Sequence, residues 1–365
     1  MAKIVLSKIL KYVFNRWSVL PWLAIATYVL TEIFARNPFW AEKIYSRGIY
    51  PFVTKILSKT SSFFPFSLDD IFYLLLIFAA VVIIILSIFK KISLKNSGKI
   101  VLNIFASVYI LFYSLWGYNY FRNNINQRID LAEREPDAEE FISVLKDLIV
   151  KTNNSFCTFN NFNMIEIERL IEKSYNKLAP VLQINYPAGK RRAKNITFSR
   201  FFAKAGISGY YGPFFSEVHI NKNNLPVEYP FVLAHEKAHQ FGISSEAEAN
   251  FYAWLVCSQS ESKQLQYSAN LYILKFFIYQ GYQMEQYPEI IKELNGNVKN
   301  DFRRIQEHWL NLRNKKINKV ASKVNDTYLK TNKIEKGIED YYGVVKHVMD
   351  ISQDSVFQRK WDLVR

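Results

Sequence analysis

Three long apolar stretches in the first 120 residues constrain this chain more than any other feature of its sequence. The stretches 71–89 and 100–120 contain no charged residue, and the stretch 17–35 contains only Glu32, close to its end. A bilayer core about 30 Å thick requires roughly 20 consecutive, mainly apolar residues of α-helix. The sequence therefore predicts three transmembrane helices at about these positions, in a membrane domain over residues 1–121.

The segment 37–66 between the first two spans mixes aromatic and basic residues. Its lysine and arginine side chains recur at four- and eight-residue spacings, which places them on one side of a helix. An amphipathic helix of this kind lies along a membrane surface. A helix packed on a soluble domain would show the same pattern, so the sequence leaves both interpretations open.

The distribution of basic residues predicts how the chain is oriented. Residues 1–16 carry four basic residues and no acid, and the short loop 90–99 carries another four. Short basic segments of this kind stay in the cytoplasm. With three spans, the N-terminus of a multi-pass cell-membrane protein is then cytoplasmic, and residues 122–365 lie outside the cytoplasm. The third stretch ends in three aromatic residues that are predicted to lie at the membrane–water interface: Trp116, Tyr118 and Tyr120.

From residue 122 onward the composition becomes that of a soluble domain. Hydrophobic periodicity predicts an amphipathic helix over 164–178 and further helices in the C-terminal third of the chain. The segment 207–221 is rich in glycine and aromatic residues and alternates like a hairpin, so it predicts an edge strand that carries Glu217 and His219. The sequence therefore predicts a mainly α (α+β) domain over 122–365 with a small edge sheet.

Charge and cysteine content restrict the possible partners. A net charge of +15 raises the question of nucleic-acid binding. The basic residues are scattered and form no arginine-rich stripe or RNA-binding signature, so no nucleic acid is expected as a partner. Cys157 and Cys257 have no metal-binding spacing. A disulfide and two small buried apolar side chains are both compatible with them.

The segment His235-Glu236-Lys237-Ala238-His239 is the most specific chemical signal in the chain. Two histidines four residues apart lie on one face of a helix, so both imidazoles can bind one metal ion. A catalytic zinc site has three protein ligands and one open position for water. Glu236, next to the first histidine, is then placed to accept a proton from that water. The motif predicts a Zn²⁺ site with His235 and His239 as ligands and Glu236 as the general base.

The residues that follow bear on the third ligand. Gly242 comes three residues after His239, where a glycine is typical of a helix C-terminus. Ser245 and Glu248 form S-x-x-E, a capping box that would begin a second helix and would use the Glu248 side chain to bond the Ser245 amide. A break at Gly242 lets the chain turn and brings Glu246 back to the ion. This favours Glu246 as the third ligand and leaves Glu248 as the alternative.

Further positions would complete such a site. Asn250 lies four residues after Glu246 on the same helical face, so it is predicted to orient a ligand histidine from the second shell. A peptidase also requires a donor for the oxyanion that develops during the reaction. Tyr328 is the first candidate for this donor, with Tyr341 and Tyr342 as alternatives.

These motifs together carry a resemblance to known families. H-E-x-x-H followed by E-x-E-A-N-F resembles the gluzincin metallopeptidases, in which a glutamate on a following helix completes a His-His-Glu ligand set. The metzincins fit less well, because their third histidine would fall at Ser245. The three spans, H-E-K-A-H-Q-F-G, E-A-E-A-N-F and the late N-D-T-Y-L-K (Asn325 to Lys330) together resemble the DUF3810 family of bacterial membrane proteins. The gluzincin resemblance implies a zincin-like domain, whereas DUF3810 has no assigned function.

The expected function is that of a membrane-anchored zinc metallopeptidase that hydrolyses a peptide or protein substrate, with Glu236 as general base. The alternative is a membrane sensor or scaffold whose zinc site is not catalytic. Both functions have the lipid bilayer as a partner. A fourth protein ligand on the metal would favour the second function.

Overall fold

The computed structural model of this protein describes residues 19–354, apart from 133, 188 and 190. The basic residues 1–16 and the first two residues of the predicted first span lie outside these described residues. The fold is mainly helical, with a small three-stranded sheet. The elements up to residue 121 are α1 (Val19–Arg36), α2 (Pro38–Trp40), a π-helical segment (Ala41–Ile49), α3 (Tyr50–Ser61), α4 (Leu68–Ile88), α5 (Leu94–Leu115) and a 3₁₀ segment (Gly117–Phe121).

Three of these helices, α1, α4 and α5, are long and apolar enough to cross a membrane. Helices α4 and α5 begin before the charge-free runs of the sequence because Ser67 and Ser93 cap them. Each serine hydroxyl accepts the amide of the third helical residue, Asp70 or Asn96. Helix α5 also ends earlier than predicted, at Leu115. The three predicted spans thus correspond to helices, but the second and third were placed too late in the chain.

The aromatic residues that follow α5 pack inside the protein. Trp116 and Tyr118 are both buried, and the Trp116 indole N–H donates to the carbonyl of His239 at 3.0 Å. Tyr120 is half-buried, and its hydroxyl donates to the Tyr328 hydroxyl at 3.1 Å. Trp116 and Tyr118 therefore face the protein interior, and the depth of these aromatic residues relative to a membrane stays a prediction. Trp116 and Tyr120 bond residues more than a hundred positions later in the chain, whereas Tyr118 packs on the earlier Phe34, Tyr45 and Tyr113.

The helical segment between α1 and α4 has two different faces. Tyr50 and Thr54 on α3 are buried against the soluble domain, where their hydroxyls donate to the Gln240 carbonyl at 2.9 and 3.2 Å. The opposite face exposes large apolar side chains such as Phe52 and Ile56. The segment is therefore packed on the domain, and contact of its outer face with a bilayer stays a prediction.

The part of the chain from residue 122 onward contacts one end of the long apolar helices α4 and α5. At the start of α4, the Ser67 hydroxyl and the Asp69 amide donate to the Glu217 carboxylate at 3.2 and 3.0 Å. At the end of α5, Trp116 contacts the domain as described above. Helices α4 and α5 have 21 and 22 residues and are therefore each about 30 Å long. The loop 89–93 that joins them lies at the opposite end from the soluble domain.

The sheet consists of β1 (Lys194–Asn195), β2 (Gly209–Gly212) and β3 (Glu217–Ile220) in the order β1-β3-β2. Strand β3 pairs antiparallel with β2 and parallel with β1, which confirms the predicted hairpin and places β2 at an edge. Glu217 and His219, however, lie buried on the central strand β3. Their placement on the edge strand is wrong, because β1 pairs with the other side of β3.

Helices surround one large core in the rest of the domain. The helix predicted over 164–178 has these bounds in the structure. Cys157 and Cys257 are free, and Cys257 is fully buried in the core, so it is a small apolar side chain there. The helices are α6 (Ile125–Ile129), α7 (Ala138–Ser155), α8 (Met164–Leu178), α9 (Ser199–Lys204), α10 (Tyr229–Gln240), α11 (Glu246–Ser258), α12 (Lys263–Gly281), α13 (Tyr287–Lys292), α14 (Gly296–Leu312), α15 (Lys315–Thr331) and α16 (Val344–Gln353), with a 3₁₀ segment (Gly337–Gly343) before α16.

Candidate metal centre

Helix α10 carries the histidine motif through the centre of the domain. Pro230 lies in its first turn, where the missing N–H removes no hydrogen bond, and all residues from 230 to 240 are buried. Polar side chains on a helix buried on all sides need partners inside the protein. The Lys237 ammonium meets this need through ion pairs with Glu172 and Glu168, at 2.6 and 3.0 Å. These ion pairs hold α10 against α8.

Helix α10 ends at Gly242, as the sequence predicts. Gly242 has a φ of +83°, its N–H donates to the His239 carbonyl at 2.9 Å, and the Ile243 N–H donates to the Ala238 carbonyl at 3.1 Å. This pair of bonds is a Schellman motif, which reverses the chain direction. The turn places the Ile243 carbonyl 2.7 Å from Nδ1 of His239. An N–H at Nδ1 donates to this carbonyl and directs the Nε2 lone pair toward the other donors of the site.

Two side chains fix the first turn of α11, which carries Glu246. The Ser245 hydroxyl accepts the Glu248 amide at 3.3 Å. Asp340 accepts the amides of Glu246 and Ala247 at 2.8 and 3.2 Å, as well as the Ser245 hydroxyl at 2.9 Å. A carboxylate is stabilised at this position by the positive end of the helix dipole. The C-terminal 3₁₀ segment that carries Asp340 thus holds the start of α11 in place.

The structure brings three donor atoms of His235, His239 and Glu246 together. The two Nε2 atoms lie 3.2 Å apart, and Glu246 Oε2 lies 3.1 Å from His235 Nε2 and 3.4 Å from His239 Nε2. Nitrogen and oxygen ligands of tetrahedral zinc, at about 2.0 to 2.2 Å from the ion, lie about 3.3 to 3.5 Å from one another. Glu246 Oε2 is buried and forms no hydrogen bond with any described residue. Both the spacing and the chemistry of this donor set fit a zinc ion.

The three donors change one another's affinity for protons. Burial raises the pKa of the Glu246 carboxyl, but the imidazoles of His239 and His235 outweigh burial and hold this pKa well below its usual range. Burial lowers the pKa of His239, but the Glu246 carboxylate outweighs this effect and raises the pKa to about 9. A divalent cation would take the place of the proton beside the carboxylate, so metal binding here displaces protons.

Glu236 lies next to these donors on α10 and is itself buried. Burial raises the pKa of its carboxyl to about 7, because His235 and His239 offset only part of the cost of desolvation. The edge strand β2 passes close to this carboxyl group. A Cβ atom on Gly209 would lie 2.8 Å from Glu236 Oε1, so glycine permits a close approach of the strand backbone. The arrangement places a proton acceptor beside both the donor set and the open strand edge.

Glu248 has a different partner from the one that the capping box predicts. Its carboxylate accepts the Ile125 amide at 2.8 Å and pairs with the buried guanidinium of Arg128. Ser245 therefore caps α11, but the predicted bond from the Glu248 side chain back to the Ser245 amide is wrong. A charge-assisted hydrogen bond inside the protein is stronger than a bond to a neutral amide. Arg128 lies 120 positions earlier in the chain, where no local pattern reveals it.

The side chain of Asn250 bonds Tyr341, which lies beside the donor residues. Its amide donates to the backbone carbonyl of Tyr341 at 3.3 Å, and His235 Nδ1 has no hydrogen-bond partner among the described residues. The prediction that Asn250 orients a ligand histidine directly is therefore wrong. The Tyr341 ring lies parallel to the His235 ring, with centroids 6.3 Å apart, and its hydroxyl interacts with the Glu246 carboxylate. Asn250 thus positions the tyrosine that lies beside two of the donors.

The rings of the other two candidate tyrosines pack on aromatic residues outside the donor set. Tyr328 bonds the Tyr120 hydroxyl, as described above, and is 38% exposed. Tyr342 is 36% exposed and stacks on Tyr279, with ring centroids 4.8 Å apart. Of the three candidate tyrosines, Tyr341 is the one whose ring packs on a donor residue.

Several residues that hold the site in place are not predicted from the sequence. Arg122 donates to the Gly242 carbonyl at 2.9 Å, and the Ser244 hydroxyl donates to the Asn119 carbonyl at 3.0 Å. Both bonds join the segment directly after α5 to the turn that follows His239 and precedes Glu246, and they hold this turn in place. Asp340 is likewise absent from the predicted set, although it precedes the candidate Tyr341 by one position. Each of these contacts joins positions that lie far apart in the chain.

Replacing Lys237 by methionine should destabilise the protein by about 1–3 kcal/mol, because Glu168 loses its ion-pair partner and Glu172 keeps only Arg191. Chemical unfolding of the protein in detergent would measure this change. Lys292 is a matched control, since its pair with Glu289 is 70% and 76% exposed. Lys292→Met should change the free energy of unfolding by less than about 1 kcal/mol. Equal losses of stability in Lys237→Met and Lys292→Met would contradict the stabilising role of the buried ion pairs of Lys237.

Replacing Gly242 by alanine should weaken metal binding as well as stability. The positive φ is strained for alanine, and the new Cβ would lie 2.9 Å from the Tyr50 ring and 3.0 Å from Asn119 Oδ1. A displaced turn moves the Ile243 carbonyl away from His239, and losing such an outer-shell partner costs about 10–100-fold in metal affinity. Competition with a chromogenic chelator would measure this loss. Gly296→Ala is the control, because nothing lies within 4 Å of a Cβ there; zinc affinity equal in both variants would refute the role of the turn.

Comparison with known proteins identifies the family. Residues 45–349 match the family model DUF3810, which is described as a protein of unknown function. Because the match covers most of the chain, this protein belongs to the DUF3810 family. No curated protein and no solved structure matches the chain. The family resemblance is thus confirmed, and it brings no activity with it.

Proposed function

We propose that this protein is a membrane-anchored zinc metallopeptidase. The observation that carries the proposal is the convergence of His235 Nε2, His239 Nε2 and Glu246 Oε2, at separations of 3.1 to 3.4 Å, beside the buried Glu236. Among the described residues this donor group has three members. Three protein ligands are typical of catalytic zinc, whereas structural zinc is closed by a fourth.

The chain's own residues have distinct roles in the proposed reaction. His235, His239 and Glu246 would hold the ion. Bound zinc supplies Lewis acidity, which lowers the pKa of a water molecule to near 7 and polarises a carbonyl group. The Glu236 carboxylate accepts a proton from the attacking water and transfers it to the departing amine. The open edge of β2, close to Glu236 at Gly209, can hold an extended peptide through backbone hydrogen bonds.

Tyr341 is the residue we assign as the oxyanion donor, in place of Tyr328. Its ring packs parallel to His235 and its hydroxyl interacts with the Glu246 carboxylate. A hydroxyl at this place can donate to negative charge that develops on the substrate oxygen. The Tyr328 hydroxyl accepts the Tyr120 O–H and keeps its own proton, but its side chain is 38% exposed and its ring packs on Phe112 and Tyr120 rather than on a donor residue, which makes it a weaker candidate.

The orientation in the membrane follows from the position of the basic loop. Lys90 and Lys91 lie in the loop between α4 and α5, at the opposite end of these helices from the soluble domain. Lys95 and Lys99 lie in the first turns of α5, near the same end. Positive residues in short loops favour the cytoplasmic side. The proposed catalytic domain then faces away from the cytoplasm.

Metal removal tests this function. Full-length protein purified in detergent should contain about one zinc ion per chain and should hydrolyse members of a degenerate peptide pool, with products identified by mass spectrometry. Treatment with 1,10-phenanthroline should abolish hydrolysis, and added zinc should restore it, because the ion is required for the chemistry. Zinc at one equivalent without hydrolysis of any peptide would favour the non-catalytic sensor or scaffold.

A further inference from the structure

Helix α15 exposes apolar side chains along one side. Val320 and Val324 are each 64% exposed, and Tyr328 is 38% exposed. Because these residues follow one another at four-residue spacing, they lie in one stripe along the helix. Exposed apolar residues that lie side by side and are bordered by polar groups mark a surface that contacts another molecule. The stripe on α15 is therefore a candidate interaction surface.

Lysine side chains border this stripe. Helix α15 contains five lysines and one acidic residue, Asp326, so it carries a net charge of +4. Lys316 and Lys323 lie four and three positions from Val320, which places both beside the stripe. Lysines next to an exposed apolar stripe are typical of a helix that lies in the plane of a membrane surface and attracts anionic lipid. An acidic groove on another protein would match the same pattern, so the position of α15 in the fold decides between them.

The C-terminal end of α15 lies where two long apolar helices end. Asn332, the residue after α15, accepts the hydroxyl of Tyr113 in the last turn of α5 at 3.0 Å. The next residue, Lys333, pairs with Glu32 near the end of α1 at 3.2 Å. The last turn of α1 packs on the segment directly after α5, so both helices end beside the soluble domain. This end of α15 therefore lies at the level where the apolar helices emerge from a membrane.

The N-terminal end of α15 is tied to the start of α4 through α9. The amide of Asn314, directly before α15, donates to the carbonyl of Lys204 at the end of α9 at 2.9 Å. Helix α9 has six residues and is thus about 9 Å long. Thr197, two residues before α9, donates its amide to the Asp70 carboxylate in the first turn of α4 at 3.1 Å. Both ends of α15 therefore lie near ends of the long apolar helices, so α15 runs along the membrane surface.

The stripe does not face the soluble domain. The Asn318 side chain donates to a carbonyl at the end of α9 at 2.7 Å, and Leu329, three turns later on the same side of α15, is buried. The two valines of the stripe lie on the other side of the helix axis. At the end of the stripe, the Tyr328 ring lies 6.1 Å from the ring of Phe112 in the last turn of α5. The stripe is therefore turned toward the side on which α5 enters the membrane.

Phenylalanine side chains near the start of α4 are also exposed. Phe63 and Phe66 lie just before α4, and Phe198 and Phe201 follow the bond from Thr197 to α4; all four are about half exposed or more. These residues belong to segments other than α15, but they lie at the same end of the long apolar helices. A bilayer surface contacts all of them together with the stripe, whereas a groove on another protein accounts for α15 alone. Their distribution therefore favours a membrane.

We propose that α15 lies in the plane of the membrane, with its apolar stripe in the headgroup region of an anionic bilayer and its lysines bound to lipid phosphates. The proposal does not depend on whether the metal centre is catalytic. Asn325 of α15 bonds the hydroxyl of Tyr341, which interacts with the Glu246 carboxylate. The membrane contact of α15 therefore holds the candidate metal centre close to the bilayer surface.

Spin labels on α15 test this contact. Full-length protein with Cys157→Ser is reconstituted in vesicles of phosphatidylcholine and phosphatidylglycerol; Cys257 is fully buried and stays unlabelled. A nitroxide is attached to Val324→Cys on the stripe or to Lys319→Cys, five positions away and therefore on the other side of the helix. Molecular oxygen concentrates in lipid, whereas a nickel chelate stays in water. The ratio of collisions with oxygen to collisions with nickel should be higher at Val324→Cys than at Lys319→Cys.

Two other results of this measurement would overturn the proposal. Equal ratios at the two positions would place both labels in water. A label at Val324→Cys that is shielded from oxygen as well as from the chelate would be covered by protein, either another protein or a second copy of this chain. The measurement requires no peptide hydrolysis, so a failure of the peptidase function leaves its outcome unaffected.

The lipid charge is tested with a bimane fluorophore on Val324→Cys and with lipids whose acyl chains carry a nitroxide that quenches it. Nitroxide-labelled phosphatidylglycerol should quench more than labelled phosphatidylcholine, because each lysine near the surface attracts anionic lipid by a factor of about 5. Lys316→Gln combined with Lys323→Gln should lower this preference by at least about 5-fold. The matched control is Lys146→Gln with Lys151→Gln, which removes two exposed lysines from α7. An equal loss in both double variants, or no loss in either, would overturn the proposal.

Discussion

Replacing Glu236 by glutamine should lower peptide hydrolysis by about 10²–10⁴-fold while the zinc content stays at one ion per chain. The amide keeps the shape of the side chain but cannot accept a proton from water, and general bases contribute a factor of this size. Glu236 is absent from the donor group of His235, His239 and Glu246, so its loss leaves the ligands in place. Initial rates on the peptide pool, together with elemental analysis of the same preparation, would measure both quantities.

Glu228 provides the control for this substitution. It is buried next to the N-terminus of α10, where its carboxylate accepts the Trp309 indole N–H at 2.7 Å and the Leu225 amide at 2.9 Å. The two bonds go to different oxygens, so glutamine can accept only one of them and Glu228→Gln should be less stable. Per folded chain it should still hydrolyse peptides at close to the wild-type rate, because Glu228 is not among the metal donors. If Glu236→Gln retains hydrolysis at the level of Glu228→Gln, the proposed base is wrong. A shared loss of zinc in both variants would also contradict its role.

Replacing Glu246 by glutamine should remove zinc from the protein, whereas the same change at Glu248 should not. Glu246 Oε2 lies within 3.4 Å of both imidazole nitrogens, and it is the donor set's one carboxylate. A neutral amide binds zinc far more weakly than a carboxylate, so the affinity should fall by at least about 100-fold, the upper end of the effect of an outer-shell change. Elemental analysis after gel filtration in chelator-free buffer would measure the retained zinc.

Glu248→Gln is the matched control, and it should have a different effect. It leaves the buried guanidinium of Arg128 without its carboxylate partner, which should destabilise the protein by about 3–5 kcal/mol. Zinc content per folded chain should stay near one, and chemical unfolding would show the loss of stability. Zinc lost from Glu248→Gln but kept by Glu246→Gln would overturn the choice of third ligand.

The sequence was informative about this site where the relevant contacts are local. Two histidines four positions apart face the same way on any helix, so their pairing depends on no other part of the chain. Gly242 ends α10 because a left-handed residue costs least as glycine, and Ser245 begins α11 because its hydroxyl reaches an amide three residues later. These local rules end α10 after the histidines and begin α11 at Glu246.

Local patterns failed where distant residues compete for a side chain. Glu248 has the right spacing for a capping box, but the buried charge of Arg128 binds its carboxylate more strongly. Trp116 lies at the end of an apolar stretch, where aromatic residues at a membrane interface are expected. Its indole is instead buried and donates to the His239 carbonyl, 123 positions later. Asp340, which no local pattern connects to α11, accepts the Glu246 and Ala247 amides at the start of that helix. None of these partners lies within the range of helical or strand periodicity.

The sequence by itself determined the three long apolar helices, the pairing of His235 with His239 and the break at Gly242, because hydropathy, helical spacing and backbone strain act within a few residues. Only the tertiary structure decided that Glu246 meets the two histidines while Glu248 pairs elsewhere. The tertiary structure also placed Tyr341 beside the site. These outcomes depend on which distant groups lie together in the buried interior. An unpaired charge there costs free energy, so each buried charged group pairs with the strongest partner within reach.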